Sequence, residues 1–282
     1  MTVTPQNLTN VLAECGFRIE EITHPDGTYD FHYVPLTEEE FLHPQEGYHL
    51  PNSIFHDTAT ADAKDMLSRR YANDPTTGVF GDLLIKWEIP NLGDHCPDAF
   101  VAFGIDNKEA NRTEFLISAE GTRPALIIEV VSPRYRTTDR VKKVRHYAQA
   151  GVREYIILDR RKQRGDYVDE AIGYRLDDEG QYLPLIPDEE GRVLCETVGL
   201  WIGLQDGRVV MVDALTQERL LTALELQQKL TQTEQQLTQA EQQLTQTEQK
   251  LTQTEQRAIE AEQRAARLAE LLRSQGIESD EI

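Results

Sequence analysis

Pro124-Ala-Leu-Ile-Ile-Glu-Val-Val-Ser132 is the stretch on which the fold turns. Apart from Glu129 its interior is uniformly apolar, without the alternation of a half-exposed strand. Such a run predicts a strand buried on both faces, the central position of an α/β sandwich. Working outward, Gly78–Ile89 (GVFGDLLIKWEI) and Pro97–Ile105 (PDAFVAFGI) read as two preceding strands. Arg153–Asp159 (REYIILD) reads as a fourth, with weaker pieces around 172–176 and 198–212. Helices are expected over 5–17, over 53–72 behind a Ser53 cap, and over 137–150 with Gly151 as the left-handed terminator. Between the first two helices lies a polar stretch with no assigned element. This order predicts an α/β fold with a central mixed sheet flanked by helices.

From about residue 216 the composition shifts. Leu230, Leu237, Leu244 and Leu251 recur every seven residues, with Thr233, Ala240, Thr247 and Thr254 at the partner position. The pattern continues through Ala258, Ala261, Ala265, Leu268 and Leu272. Sustained heptads predict a coiled coil and hence a homo-oligomer, a dimer foremost, although Thr and Ala bury little area. A solitary polar helix is the alternative. The chain thus divides into 1–215 and 216–282.

Bulk properties narrow the setting. No run approaches the length of apolar sequence that a membrane span needs, and the first fifteen residues lack the features of a signal peptide. Cys15, Cys96 and Cys195 are widely spaced, which argues against a disulfide framework or zinc ribbon and for a reducing cytoplasm. The net charge of −20 disfavours a generic nucleic-acid binder. Its distribution qualifies that: eleven of the 22 basic residues preceding 216 fall within Arg134–Arg164, opposed only by Asp139, Glu154 and Asp159.

The chemistry centres on Glu129. A carboxylate inside Leu126–Val131 needs compensation by an arginine, a shared proton or a metal ion. Asp98 opens the preceding strand, and if the two strands are neighbours both acids can converge on one divalent cation. Magnesium, or manganese in its place, favours such hard oxygen ligands. Phosphodiester hydrolysis also needs a positive group for the developing phosphorane charge, and Lys142 and Lys143 follow on the next helix. Lys143 and Tyr147 stand one turn apart and flank the valine stripe; ordinary surface placement is the alternative for either lysine. Asp82 and His56 are accessory candidates, with structural roles as the alternative. Asp139 is expected to support a helix start, and His95 and Cys96 to be loop residues.

Taken together, Pro97-Asp98, the strand Ile127–Pro133, the pattern D-x-x-x-K-x-x-x-Y-A-x-A-G-V-x-E-Y from Asp139 to Tyr155, and Ile157-Leu-Asp159 resemble the Uma-type endonucleases of bacteria. That family belongs to the PD-(D/E)xK nuclease superfamily. The likeness covers about residues 50–205; the tail ending RAARLAELLRSQGI (264–277) is similar to that of longer members. The resemblance implies a restriction-endonuclease-like core, magnesium-dependent cleavage of DNA, and catalytic roles for Asp98, Glu129 and Lys143. One departure stands out. The superfamily lysine follows the glutamate by two residues, where this chain has Val131, so the lysine would move to the following helix. Arg134, Arg136, Arg140 and Arg145 are the expected DNA contacts. The competing expectation is a nuclease fold that no longer cuts and serves as a DNA- or protein-binding module.

Overall fold

The computed structural model describes residues 5–274. The chain ends, 1–4 and 275–282, and with them the last three residues of the RAARLAELLRSQGI tail, lie outside the described residues. Two compact units divide at residues 223/224.

The first unit begins with α1 (Pro5–Cys15) and a hairpin of β1 (Phe17–Thr23) and β2 (Tyr29–Pro35), followed by α2 (Glu38–Leu42) and α3 (Ile54–Arg70). Next come β3 (Thr77–Phe80), β4 (Leu84–Lys86), β5 (Ala99–Phe103), β6 (Glu114–Leu116), α4 (Ile117–Glu120) and β7 (Pro124–Val130). A π-helical turn over Thr138–Lys142 leads into α5 (Lys143–Gln149), then β8 (Glu154–Gln163), β9 (Asp166–Leu176) and β10 (Tyr182–Pro184). The unit closes with β11 (Val193–Cys195), β12 (Leu200–Gln205), β13 (Arg208–Asp213) and β14 (Arg219–Leu220).

The main sheet runs β10-β9-β8-β7-β5-β3. Only β7 and β8 pair in parallel within it; the other neighbours are antiparallel, so the sheet is mixed. All seven residues of β7 are buried, as its apolar run predicts. One face packs Leu126, Ile128 and Val130 against Ala63, Met66 and Leu67 of α3 and against the β11–β14 sheet. The other face packs Ile127 and Val131 with Trp87, Tyr147 and Tyr155. Alternation therefore puts Glu129 on the Tyr147 side.

Several expectations change. The stretch 78–89 is not one strand: it breaks after Phe80, and β4 pairs with β6 in a separate sheet. At the break, a Cβ on Gly81 would lie 2.6 Å from the Asp98 carbonyl oxygen, and Asp82 adopts φ 51°. Close backbone approach thus requires glycine, and Asp is among the few residues that tolerate the left-handed turn. The polar stretch after α1 holds a hairpin and α2, whose capping box joins Thr37 and Glu40. The weak pieces at 172–176 and 198–212 are an eleven-residue strand and a two-strand meander. The last helix starts at Ala223 rather than near 216, because Arg219 and Leu220 still pair with β13.

The second unit is the remainder of α6 (Ala223–Ser274), a 52-residue helix with no buried residue. No helix among the described residues is long and apolar enough to cross a membrane.

Candidate active site

The site begins with strand register. β5 and β7 run antiparallel with Ala99 opposite Ile128, so Asp98, one residue before β5, comes level with Glu129. Oδ2 of Asp98 accepts the Val130 backbone N–H at 2.6 Å, tying its carboxylate to the residue beside Glu129. Both acids are buried. Their convergence is the neighbour relationship that the two strand motifs require.

The π-helical turn supplies the cation of the protein itself. Its wider winding shifts the angular phase of the side chains that follow relative to an unbroken α-helix. Lys143 is buried, with Nζ 3.0 Å from Glu129 Oε1 and 3.0 Å from Asp139 Oδ1. One turn later Tyr147 donates its hydroxyl to Glu129 Oε1 at 2.6 Å. Asp139, expected to brace the helix start, instead shares the lysine. Over the group lies α2, whose Phe41 ring faces Lys143 Nζ at 5.2 Å and stacks on Tyr135 at 3.8 Å.

His56 enters from the first turn of α3, where Ser53 Oγ accepts its backbone N–H at 3.1 Å. Its Nε2 lies 3.2 Å from Asp98 Oδ1. Burial lowers the His56 pKa, but Asp98 first, then Glu129 and Asp82, reverse this and hold it above the usual histidine value. Asp82 lies at the same cavity, pushed up by its own burial and by Asp98.

That cavity, about 150 Å³, is lined by Asp57, Asp82, Asp98, Glu129 and Asp139, with Lys143 and His56 as its basic members. Burial pushes Glu129 up to about 8, Asp98 and Asp139 adding to it against the pull of Lys143. Asp98 is also penalised by burial, yet His56, Lys143 and the Val130 N–H hold it below the ordinary carboxylate range. Burial disfavours the Lys143 charge, but Asp139, Glu129 and Asp98 outweigh it and keep the ammonium protonated. Acid thus exceeds base around one small cavity, and the buried Asp139 Oδ2 has no hydrogen-bond partner among the described residues. A hard divalent cation fits this donor set: carboxylate oxygens, surplus negative charge and an unsatisfied acceptor. Asp98 and Glu129 would hold it.

The remaining candidates separate. Lys142 points away, 3.0 Å from Glu38 Oε2. Arg136 and Arg140 grip the buried Asp159 at 2.8 and 2.5 Å, and Arg140 also bonds Glu170. Their charge is largely offset inside the protein. Arg134 and Arg145 are exposed, and Arg134 lines a groove of about 640 Å³ that includes His56.

A histidine cluster escaped sequence reasoning. His43, His95 and His146 bring one ring nitrogen each within 4.8 Å of one another, although successive members lie 52 and 51 positions apart in the chain. Trp87 Nε1 donates to His95 Nδ1 at 2.9 Å. An indole can only donate, so neutral His95 carries its proton on Nε2 and passes it toward His146 Nδ1, 3.0 Å away. With that lone pair committed, the cluster suits a hydrogen-bonded chain rather than a metal ion. Burial, with His43 and Lys143 nearby, holds His95 well below its usual pKa. Its ring packs 5.1 Å from Tyr147, bracing the residue that orients Glu129. Cys96 lines the cavity, but burial pushes its thiol up to about 12, leaving it a poor ligand. The one available sequence signal was the embedding of His95 between a tryptophan-bearing segment and the Asp98 strand.

A family model, Uma2, described as "Putative restriction endonuclease", matches residues 50–206. That span holds His56, Asp82, Asp98, Glu129, Asp139, Lys143 and Tyr147, and excludes the β1–β2 hairpin, α2 and α6. No curated protein matches the chain. Among solved structures, a "putative nuclease belonging to DUF820 from Anabaena variabilis" is similar at 17% identity, covering 55% of this chain and 90% of its own, with a TM-score of 0.37.

Proposed function

The chain belongs to the Uma2 family, and from that membership we propose that it is a magnesium-dependent endonuclease that hydrolyses DNA phosphodiester bonds. One observation carries the reading: Asp98, Glu129 and Lys143 meet at a single cavity with excess carboxylate. Manganese would serve in place of magnesium.

The ion would polarise the phosphoryl group and lower the pKa of an attacking water. Asp98 and Glu129 would hold it, each already fixed by a neighbour: Asp98 by the Val130 N–H, Glu129 by the Tyr147 hydroxyl. Lys143 stays charged and meets the negative charge that builds on the phosphoryl oxygens. Asp139 and Tyr147 act as positioning residues for the lysine and the glutamate. Arg134 and Arg145, exposed as they are, supply the backbone contacts; Arg136 and Arg140 chiefly hold Asp159 and Glu170 in place. The helix α6 would join two copies, and three free cysteines suit a cytoplasmic setting.

Supercoiled plasmid incubated with the full chain and magnesium should be nicked, and chelation should stop it. D98N and E129Q should each lose cleavage while keeping the wild-type circular dichroism spectrum. Cleavage unchanged in both variants refutes the site.

The acid surface favours one rival. With net charge −20 and two of the four candidate arginines internally paired, the head would suit a binding module that no longer cuts. Magnesium-independent, salt-sensitive DNA binding without cleavage selects that rival.

A further inference from the structure

We propose that α6 joins two copies of this chain as a parallel, in-register coiled coil, with both heads attached at one end; this rests on α6 being the oligomerising element. Three observations on the helix carry it.

The first is an uncovered seam. Leu230, Leu237, Leu244 and Leu251 are 59–60% exposed along one line of the helix. Counting them as heptad position a puts Thr233, Ala240, Thr247 and Thr254 at d.

The second is that the polar d residues can enter a seam without leaving a donor stranded. The hydroxyls of Thr233, Thr247 and Thr254 each donate, at 2.8 Å, to the carbonyl oxygen four residues earlier. The hydroxyl is satisfied within its own helix, so its burial removes no hydrogen bond.

The third selects the direction. Between residues 234 and 262 position e is acidic in every heptad: Glu234, Glu241, Glu248, Glu255 and Glu262. Position g is basic or neutral: Lys229, Gln236, Gln243, Lys250, Arg257 and Arg264. In a parallel, in-register pair each g residue meets the partner's e residue five positions on. Lys229 then faces Glu234, Lys250 faces Glu255 and Arg257 faces Glu262 across the seam, with no like-charged pair. Antiparallel packing sets e against e, acid upon acid, and is disfavoured. A parallel pair brings both Ala223 ends together, whereas an antiparallel one separates them by about 78 Å, at about 1.5 Å per helical residue. Two heads tethered at one end suit a substrate made of two strands.

The test uses the full chain and sedimentation equilibrium. Wild type should sediment as two chains. E255K sets lysine against Lys250 in a parallel pair and should weaken association about tenfold, from two symmetry-related contacts; K250E/E255K should restore it. T233C should form an intermolecular disulfide in glutathione buffer, above the level of the unmodified chain with its native cysteines. Stronger association of E255K together with no T233C cross-link overturns the parallel direction and leaves pairing intact. A mass of three or more chains overturns the two-chain assembly. A monomer at every concentration overturns both this inference and the role of α6 on which it rests.

Discussion

Lys143 Nζ lies 3.0 Å from Glu129 Oε1, although one residue stands on a helix and the other on the central strand. Val131 occupies the strand position two residues after Glu129 and is buried with Trp87 and Tyr147. The lysine instead reaches Glu129 from the following helix, delivered by the π-helical turn over Thr138–Lys142. Glu129 has no arginine partner among the described ion pairs, and its lysine is shared with Asp139. The carboxylates around the cavity consequently outnumber the charge available to offset them.

Removing the ammonium should expose that imbalance. K143M should reduce plasmid nicking by about a hundredfold or more, the scale of losing a preorganised electrostatic group. It should also cost about 3 kcal/mol at pH 8, because two buried carboxylates lose their partner. The penalty should shrink at pH 6, where Glu129, already pushed up to about 8, takes up a proton. Urea midpoints at both pH values check this; an equal penalty at each would contradict the burial account.

Tyr147 is fully buried, so Y147F removes one hydroxyl and little packing. Glu129 then loses the donor that orients it. The magnesium concentration for half-maximal cleavage should rise about tenfold, the usual scale for losing a supporting hydrogen bond to a metal ligand. Stability should fall by only about 1 kcal/mol. Magnesium titrations of cleavage rate, beside thermal melts, separate the two effects.

Magnesium should also stabilise the folded chain without substrate. At a concentration ten times the dissociation constant, binding adds about 1.4 kcal/mol to stability. The melting temperature should rise with magnesium and return with chelator in wild type, and stay flat in D98N. A rise of equal size in D98N would place the ion elsewhere.

His95 makes a separate prediction for acid. Its pKa in the folded chain lies below the unfolded value, so the unfolded state takes up the proton first. Stability is present above about pH 6.5 and is lost as pH falls below it, by up to about 1.4 kcal/mol per pH unit. H95N keeps an acceptor for Trp87 and removes the titration. Between pH 7 and pH 5 wild type should lose stability relative to H95N, measured by urea unfolding; parallel curves would show that His95 does not resist protonation.

Much of this protein was legible in one dimension because the signals are local. Seven buried positions in β7, the Ser53 cap of α3 and the leucine heptads of α6 follow from patterns within a few residues. Glu129 announced itself for the same reason: a charge amid six apolar neighbours is anomalous wherever the strand ends up. Asp98 followed once the strands were taken as neighbours. What local pattern could not decide was which groups meet. Lys142 and Lys143 are adjacent in the chain, yet one faces Glu38 and the other Glu129, a choice made by the phase of a π-helical turn. The basic run 134–164 looked like a surface for phosphate, but Arg136 and Arg140 close on Asp159, 23 and 19 residues away. His43, His95 and His146 converge only because three segments pack around Trp87 and Tyr147. Hydrophobic periodicity and propensity specify where a segment buries its face; charge pairing and proton placement depend on neighbours that only the assembled sheet brings within hydrogen-bond reach.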